Sequence, residues 1–391
     1  MQRLSLGKGR DIFKVGKRGL ARLVLVAGLI LGLGNMAGEL EAHELSPTII
    51  DFRVVDGQLA MRIRINLEAF AAGLDLDAVV NTDTAAQAER YDELRRMAPD
   101  VLEPQAQAFA EDWLQTIPVE AGEPLVLQLD EVEIEAVDDL ELPRPTNLMV
   151  FAELPAGVRM VQFHWPTGSG GLVLRQHDVE APYTGYLLSG ETTPLIPLSG
   201  GAQQAPLEAF VAYIPVGFDH ILPKGLDHIL FVLGLFFFSS RMRPLIWQVT
   251  AFTLAHTITL AMATLGWVEV SAAIVEPLIA ASITFVAIEN IFVRRLHFWR
   301  PVVIFCFGLL HGLGFASVLG EFGLPPAQLV PALLGFNVGV ELGQLTVIAI
   351  AFALVGYWFG KHPKYRGRVA IPASATIAAI GAYWFVERTF L

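Results

Sequence analysis

Ionisable side chains occur inside several of the most apolar segments of this sequence. Asp227 and His228 open one segment, His256 and His311 lie near the middle of two others, and Glu341 lies in a fourth. Because charge at membrane depth is costly, such residues are candidates for function by default. Imidazole and carboxylate groups without a thiolate suit Ni, Co, Zn or Cu(II) better than soft Cu(I). These five residues are therefore predicted to bind a divalent metal ion.

A second set of polar residues in or beside the same segments is predicted to form a path for the ion or to support its ligands. The set is His220, Glu276, Glu289, Asn290, Asn337 and Gln344. Helix rise places one group roughly 5–10 Å from the outer ends of the segments and another at roughly 14–18 Å. The first group is Asp227, His228 and Glu276, and the second is His256, His311 and Glu341. Polar groups at several depths are typical of a path.

Six apolar segments are long enough to carry these residues as membrane-spanning helices. They cover residues of about 225–240, 245–266, 271–292, 301–320, 329–359 and 369–386. In the fifth segment, glycines and polar residues occupy opposite arcs of the helix. The glycines are Gly335, Gly339 and Gly343, and the polar residues are Asn337, Glu341 and Gln344. This helix is predicted to be central, with its glycines against one neighbour and Glu341 facing a polar interior.

Basic residues in the connecting loops predict the orientation of the spans. Lys and Arg occur in every second loop, whereas the loops around residues 269 and 321 lack them. The basic residues are Arg241, Arg243, Arg294, Arg295, Arg300, Lys361, Lys364, Arg366 and Arg368. Their loops are predicted to be cytoplasmic. The chain before residue 225 and the C-terminus are then periplasmic, and the expected location is a bacterial inner membrane.

The N-terminus has the layout of a secretory signal. Lys and Arg are frequent in residues 3–22, and the apolar run that follows, 23–33, is short for a membrane span. Cleavage after Ala42 would remove residues 1–42 and leave His43 as the first residue. Its free amine and imidazole could then chelate a metal ion outside the membrane, so His43 is a further candidate ligand.

Residues 43–210 are polar and acidic and are predicted to form a β-rich periplasmic domain before the transmembrane domain, 211–391. Short β-type runs alternate with turn signals there, whereas residues 84–114 are predicted to be helical with an interruption at Pro104. The predicted fold is thus an α-helical polytopic membrane bundle of six spans preceded by a β-rich domain. The net charge of -12 argues against nucleic acid as a partner. Cys306 is the single cysteine, which excludes a disulfide framework within the chain.

Four segments of the membrane half resemble the HupE/UreJ family, in the branch with an exported N-terminal domain. They are GLDHILF (225–231), FTLAHTITL (252–260), LLHGLGFA (309–316) and FNVGVELGQ (336–344). Members are regarded as permeases for nickel or related metals, or as accessory proteins that supply hydrogenase and urease. The resemblance implies that Asp227 and His228 end the family motif His-Pro-x-x-Gly-x-Asp-His. His220 lies eight residues before His228 instead of the seven of that motif.

The sequence favours a membrane permease or metal-delivery protein for a divalent metal ion such as nickel. One alternative is an intramembrane hydrolase in which His228, His256 and His311 bind zinc and Glu341 or Asp227 activates a water molecule. Another is a non-transporting accessory protein whose exported domain binds a periplasmic or membrane protein. No ATP-binding loop is found, so transport would be driven by gradients. The lipid bilayer and the metal ion are the expected partners.

Overall fold

A computed structural model of the protein describes residues 47–79, 82, 85–136, 144–239, 241–293, 295, 297–314, 326–360 and 362–390. The predicted signal (1–42) and the candidate ligand His43 lie outside the described residues. So do the predicted loop charges Arg294 and Lys361.

The N-terminal region is built mainly of β-strands, as predicted. The strands are β1 Thr48–Val55, β2 Gln58–Ile65, β3 Val119–Glu120, β4 Gln128–Ile134, β5 Thr146–Glu153, β6 Met160–Phe163, β7 Leu172–Gln176, β8 Thr184–Leu187 and β9 Ile196–Pro197. A six-stranded sheet has the order β4-β5-β2-β1-β7-β8, and a three-stranded sheet has the order β3-β6-β9. Among the strand pairs of the described residues, only β1 and β7 are parallel.

The hairpin between β1 and β2 shows how local sequence sets this sheet. Asp56 and Gly57 both have positive φ, 49° and 82°, as a two-residue type I′ turn requires. In β2, Leu59, Met61 and Ile63 are buried, and the residues between them are more exposed. This alternation places one face of the strand on the core of the region.

Three helices pack on the sheet region: α1 Leu67–Ala71, α2 Ala88–Arg95 and α3 Pro99–Leu114. The predicted interruption at Pro104 is wrong, because Pro104 lies inside α3. The chain breaks instead just before Pro99, which is favourable at the first position of a helix, where its missing N–H removes no hydrogen bond.

A buried ion pair joins these helices to the sheet. The Arg144 Nε atom lies 2.5 Å from the Glu68 Oε1 atom of α1, and both side chains are buried. The same guanidinium donates to the carbonyl oxygens of Leu94 and Met97, at the end of α2 and just after it. One side chain ahead of β5 therefore holds α1 and α2 in place.

The C-terminal region is helical. Its helices are α4 Pro206–Ile221, α5 Leu226–Phe238, α6 Met242–Thr264, α7 Ala272–Phe292, α8 Arg300–Gly314, α9 Pro326–Ala351 and α10 Ile371–Phe390. A π-helical turn, Phe352–Gly356, extends α9, and another, Arg366–Ala370, precedes α10. α4 crosses the predicted domain boundary between residues 210 and 211.

By length and composition, four of the described helices could cross a membrane, and five could if α4 and α5, bent by 74°, make one broken span. These are the helices of a multi-pass membrane protein. Six spans are not confirmed. The predicted first span, 225–240, is only the second half of the broken pair. Residues 301–314 of the predicted fourth span, 301–320, lie in α8, and residues 315–320 lie outside the described residues.

α4 and α9 pack together over most of the length of α4. A Cβ atom added at Gly335 would lie 1.9 Å from the carbonyl oxygen of Phe210, and one at Gly339 would lie 2.1 Å from that of Ile214. Only glycine permits this approach. The predicted glycine seam therefore meets a helix that the sequence analysis did not assign.

The two ends of the bundle differ. At the sheet-side end, α4, α7 and α9 begin and α6, α8 and α10 finish, and the ring of Tyr186 in β8 packs against Tyr213 of α4 at 6.1 Å. At the opposite end, called the far end here, α6, α8 and α10 begin. Arg366 there donates to the carbonyl oxygen of Ile291, near the last turn of α7.

Candidate metal centre

Three histidines from three helices meet inside the bundle. His220 lies in the last turn of α4, His228 in the first turn of α5, and His256 near the middle of α6. Each offers one ring nitrogen, and these atoms lie within 4.8 Å of one another. All three side chains are buried. Ligand atoms on a tetrahedral ion are about 3.4 Å apart at a metal–nitrogen distance of about 2.1 Å. Small ring rotations would therefore close these histidines on an ion.

The break between α4 and α5 allows the three histidines to come together. α4 ends at Ile221 and α5 begins after Gly225. A Cβ atom at Gly225 would lie 2.2 Å from the carbonyl oxygen of His220, so the turn requires glycine. This tight turn brings the ring centroids of His220 and His228 to 4.9 Å.

A hydrogen bond orients His256. Its Nδ1 atom lies 3.1 Å from the Oδ1 atom of Asn337, whose Nδ2 atom donates to the carbonyl oxygen of Leu333. Because that second bond turns the amide oxygen of Asn337 towards the ring, Nδ1 carries the hydrogen. The lone pair is then on Nε2, which is buried and has no hydrogen-bond partner among the described residues. This is the arrangement of a metal-ligating histidine with a supporting neighbour.

His311 of α8 lies beside the three-histidine group. Its ring centroid is 4.9 Å from that of His228. The Nε2 atom of His311 lies 3.0 Å from the Ser282 hydroxyl, which donates to the carbonyl oxygen of Ile279. The ring nitrogen therefore donates to the hydroxyl, and Nδ1 has the lone pair. That Nδ1 atom is buried and has no hydrogen-bond partner in the described part of the chain.

Aromatic rings enclose the histidines. The Phe252 ring is 5.0 Å from that of His311 and 5.8 Å from that of His228, and the Phe336 ring is 5.5 Å from that of His220. Phe231 lies 5.2 Å from His311. These apolar rings exclude water from the nitrogens, so binding there requires an ion to lose most of its hydration.

Asp227 does not face the histidine group. Its carboxylate pairs with Arg388 in the last turns of α10, at 3.1 Å and 3.4 Å. The same guanidinium lies 3.4 Å from the carbonyl oxygen of Glu276, whose side chain is exposed. The predicted ligand Asp227 is thus next to the site, and its charge is already compensated.

Glu341 also lies away from the three rings. Its two carboxylate oxygens accept hydrogen bonds from Thr250, at 2.7 Å, and from Thr253, at 2.5 Å, both on α6. The Gln344 amide oxygen lies 3.1 Å from the Thr253 hydroxyl. Since Thr253 precedes His256 by three residues, the pair of Glu341 and Thr253 lies about 4.5 Å from His256 along α6, towards the far end.

Glu289 and Asn290, the deepest predicted positions, belong to a buried network at the far end. Glu289 pairs with Arg300 at 2.9 Å, and Arg300 donates to Gln248 at 3.0 Å. Asn290 donates to the Gly234 carbonyl oxygen and to the Ser374 hydroxyl. The prediction that Arg300 is a loop charge is therefore wrong, because Arg300 begins α8 and is buried. Its pairing with Glu289 makes that burial tolerable.

The sequence analysis gave His220 only a supporting role and gave no role to Arg388 or Ser282. One signal pointed to α4 and hence to His220. Buried positions at Ala209, Tyr213, Gly217 and His220 recur every three or four residues, as on one face of a helix. No comparable signal exists for Arg388, whose partner is more than 160 residues away in sequence.

Comparisons with known proteins bear on the helical region. Searches among curated proteins and among solved structures gave no match. A family model described as HupE / UreJ protein matches residues 199–388, which run from just before α4 nearly to the end of α10. The match thus includes all the residues of the site described above. The helical region, residues 199–388, is therefore the part of the chain that matches the HupE/UreJ family.

Proposed function

We propose that the protein is a membrane permease or metal-delivery protein for a divalent transition-metal ion such as nickel. The observation that carries the proposal is the group of three buried histidines, His220, His228 and His256, whose ring nitrogens lie within 4.8 Å. Neutral imidazoles are common ligands of Ni, Co, Zn and Cu(II). The match of the helical region to the HupE/UreJ family, which is linked to the uptake or handling of nickel and cobalt, supports the same class of substrate.

Polar groups beyond the histidines support movement of the ion. His311 lies against His228, and the Glu341 and Thr253 pair lies farther along α6. A permease must hold its ion at successive depths. We propose that the ion enters at the sheet-side end, from the periplasm of a bacterium, and passes from the three histidines towards His311 and Glu341.

The contacts of the Asp227 and Glu341 carboxylates support transport more than hydrolysis. Three histidines with an open position would also suit a catalytic zinc ion, and in the hydrolase alternative Asp227 or Glu341 would activate its water. The two predicted bases are engaged elsewhere: Asp227 pairs with Arg388, and Glu341 accepts from Thr250 and Thr253. A hydrolase is therefore the less supported function.

The test is a titration of the purified full-length protein with Ni²⁺, Co²⁺, Zn²⁺ and Cu²⁺. We expect the wild type to bind at least one of these ions, and the variant with His220, His228 and His256 all changed to Ala to bind none. Single changes to Ala at His228, His256 or His311 should weaken binding. Protons compete with metal for a neutral imidazole, so binding should weaken as the pH falls.

His164→Ala is the matched control, because His164 lies in the sheet region and bonds to Thr192. It should bind metal like the wild type. Uptake of the bound ion into proteoliposomes then separates a permease from a protein that only holds or delivers the metal. Equal affinity of the wild type and the triple variant would show that the histidines are packing groups.

A further inference from the structure

Asp227 and Arg388 form an ion pair at the edge of the histidine group. Asp227 precedes the ligand His228 in the first turn of α5, and Arg388 reaches it from the last turns of α10. The side chains are 23% and 11% exposed. The pair therefore joins α5, the second half of the broken pair, to α10, the last helix of the bundle, next to the histidines.

The balance of charge at the histidines gives this ion pair a role in metal binding as well as in structure. With neutral histidines, Asp227 and Arg388 neutralise each other in the site without an ion, and the carboxylates of Glu276 and Glu387 also lie near Arg388. A divalent ion adds two positive charges in a region where uncompensated charge is costly. Asp227 would stabilise the ion, whereas the guanidinium of Arg388 would oppose it. The favourable state with an ion bound keeps the carboxylate and removes the guanidinium.

The guanidinium of Arg388 can move from Asp227 towards the membrane surface. This guanidinium lies at the sheet-side end, where it touches the carbonyl oxygen of Glu276 and lies 5.3 Å from the centre of the Trp384 ring. Long arginine side chains near helix ends extend to the membrane surface while their stems stay in apolar surroundings. Release from Asp227 therefore moves the charge towards water, at little cost.

We propose that Arg388 is a tethered counter-cation, which neutralises Asp227 while the site holds no ion and releases it when a divalent ion binds to the histidines. This inference rests on the proposed metal-binding function and adds a residue that sets the affinity. It also predicts that the site prefers divalent ions to monovalent ones. A monovalent ion would only replace the positive charge of Arg388, whereas a divalent ion carries one positive charge more. Binding would displace the end of α10, far from the ligands in sequence.

The experiment measures the Kd of purified full-length protein for Ni²⁺ and Co²⁺ at one fixed pH. Arg388→Gln removes the competing charge, so we expect its Kd to be lower than that of the wild type by about fivefold or more. Arg388→Lys retains a positive charge and should stay near the wild type. Arg243→Gln removes the same charge from an exposed position at the far end and should change nothing.

The direction of the change separates this role from a structural one. A purely structural ion pair would, on removal, loosen the site and raise the Kd, so an unchanged or higher Kd in Arg388→Gln overturns the inference. The gain should also vanish when Asp227→Asn is added, because no carboxylate is then left to release. Retention of the gain in that double variant likewise overturns it. Absence of metal binding by the wild type overturns the proposed function itself, and a weaker Arg388→Gln with a binding wild type overturns only the counter-cation.

Discussion

At the scale of single residues, the hydrogen bond on one side of an imidazole decides which nitrogen is left for a metal ion. Asn337 fixes His256 in this way, and Ser282 fixes His311. In both cases a backbone carbonyl oxygen holds the supporting side chain in turn, at Leu333 and at Ile279. In the proposed function, these nitrogens would be oriented before an ion arrives, which would reduce the cost of binding.

We predict that Asn337→Ala lowers the affinity for metal by about 10–100-fold, since loss of a supporting neighbour has an effect of that size. The ring of His256 would lose the acceptor that fixes its hydrogen on Nδ1. Asn337→Asp keeps an oxygen acceptor and should retain most of the affinity. Calorimetric titration of both variants with Ni²⁺ or Co²⁺ measures the difference. Equal affinities of Asn337→Ala and the wild type would mean that other contacts hold the ring.

Residue types and helix rise predicted part of the site. They gave the histidines but put His228 in a shallower group than His256 and His311, whereas the structure places the ring of His228 next to the rings of both. They could not give the partner of Asp227. Rise fixes the depth of a residue but not the order of helices around a bundle, and only that order brings Arg388 of α10 opposite α5. The carboxylate was therefore predicted to face a metal ion instead of an arginine.

At the scale of elements, α4 is the main difference between prediction and structure. The six predicted spans begin only at about residue 225, so no helix was predicted for its segment. Pro206 is the first residue of the helix, and Glu208 accepts from the backbone N–H of Ala205, so both stabilise the start of α4. Packing against the glycines of α9 supplies the rest, and sequence patterns within α4 cannot show that contact.

We predict that Gly339→Ala lowers the thermal stability and the expression of the protein, and that Gly339→Leu does so more strongly. The added Cβ atom would meet backbone atoms of α4, including the Phe218 nitrogen at 2.7 Å, so the two helices would have to separate. Gly367→Ala is the matched control, since its Cβ atom would meet nothing within 4 Å. Thermal unfolding of the detergent-purified variants measures the effect. Tolerance of leucine at position 339 would show that this face of α9 does not depend on α4.

The pairing of β1 with β7 predicts a pH dependence of stability. Asp51 lies opposite Arg175 in the parallel register, and its carboxylate accepts from Arg175 and from the His177 ring. Burial alone would raise the pKa of Asp51, but the Arg175 guanidinium and the His177 ring hold it below the ordinary value. A lowered pKa stabilises the fold above the ordinary pKa of about 3.9, and that stabilisation is lost as the pH falls through the folded-state pKa.

Asp51→Asn should therefore be less stable than the wild type near neutral pH, by up to about 1 kcal/mol because the group is partly exposed. The difference should shrink as the pH falls below about 4, where the wild-type carboxyl also becomes neutral. Thermal unfolding of both proteins across this pH range makes the comparison. A difference that stays constant down to pH 3 would assign the effect to packing and not to charge.

At the scale of the whole molecule, the two ends of the bundle carry different kinds of charge. The sheet-side end has the pair of Asp227 and Arg388, beside the histidines. The far end has the buried network around Arg300, and its surface carries the basic residues Arg241, Arg243 and Arg368. Burial of Arg300 removes one charge from the predicted basic loops, but these three exposed residues still lie at a single end. The histidines therefore lie towards the sheet-side end, and the exposed positive charges lie at the other.

This asymmetry predicts the orientation of the protein in the membrane. Positive residues near membrane ends stay on the cytoplasmic side, so the far end should be cytoplasmic and the sheet region periplasmic. Reporter fusions after Arg243, Arg295 and Arg366 should all give a cytoplasmic signal, and a fusion after Gly201, between the sheet region and α4, should give a periplasmic one. A fusion after Phe390 should match the fusion after Gly201, because α4 begins and α10 ends at the same end of the bundle.

A periplasmic signal after Arg243, Arg295 or Arg366 would contradict the alternation of the helices. A cytoplasmic signal after Gly201 would contradict the proposed entry of the metal ion from the periplasm.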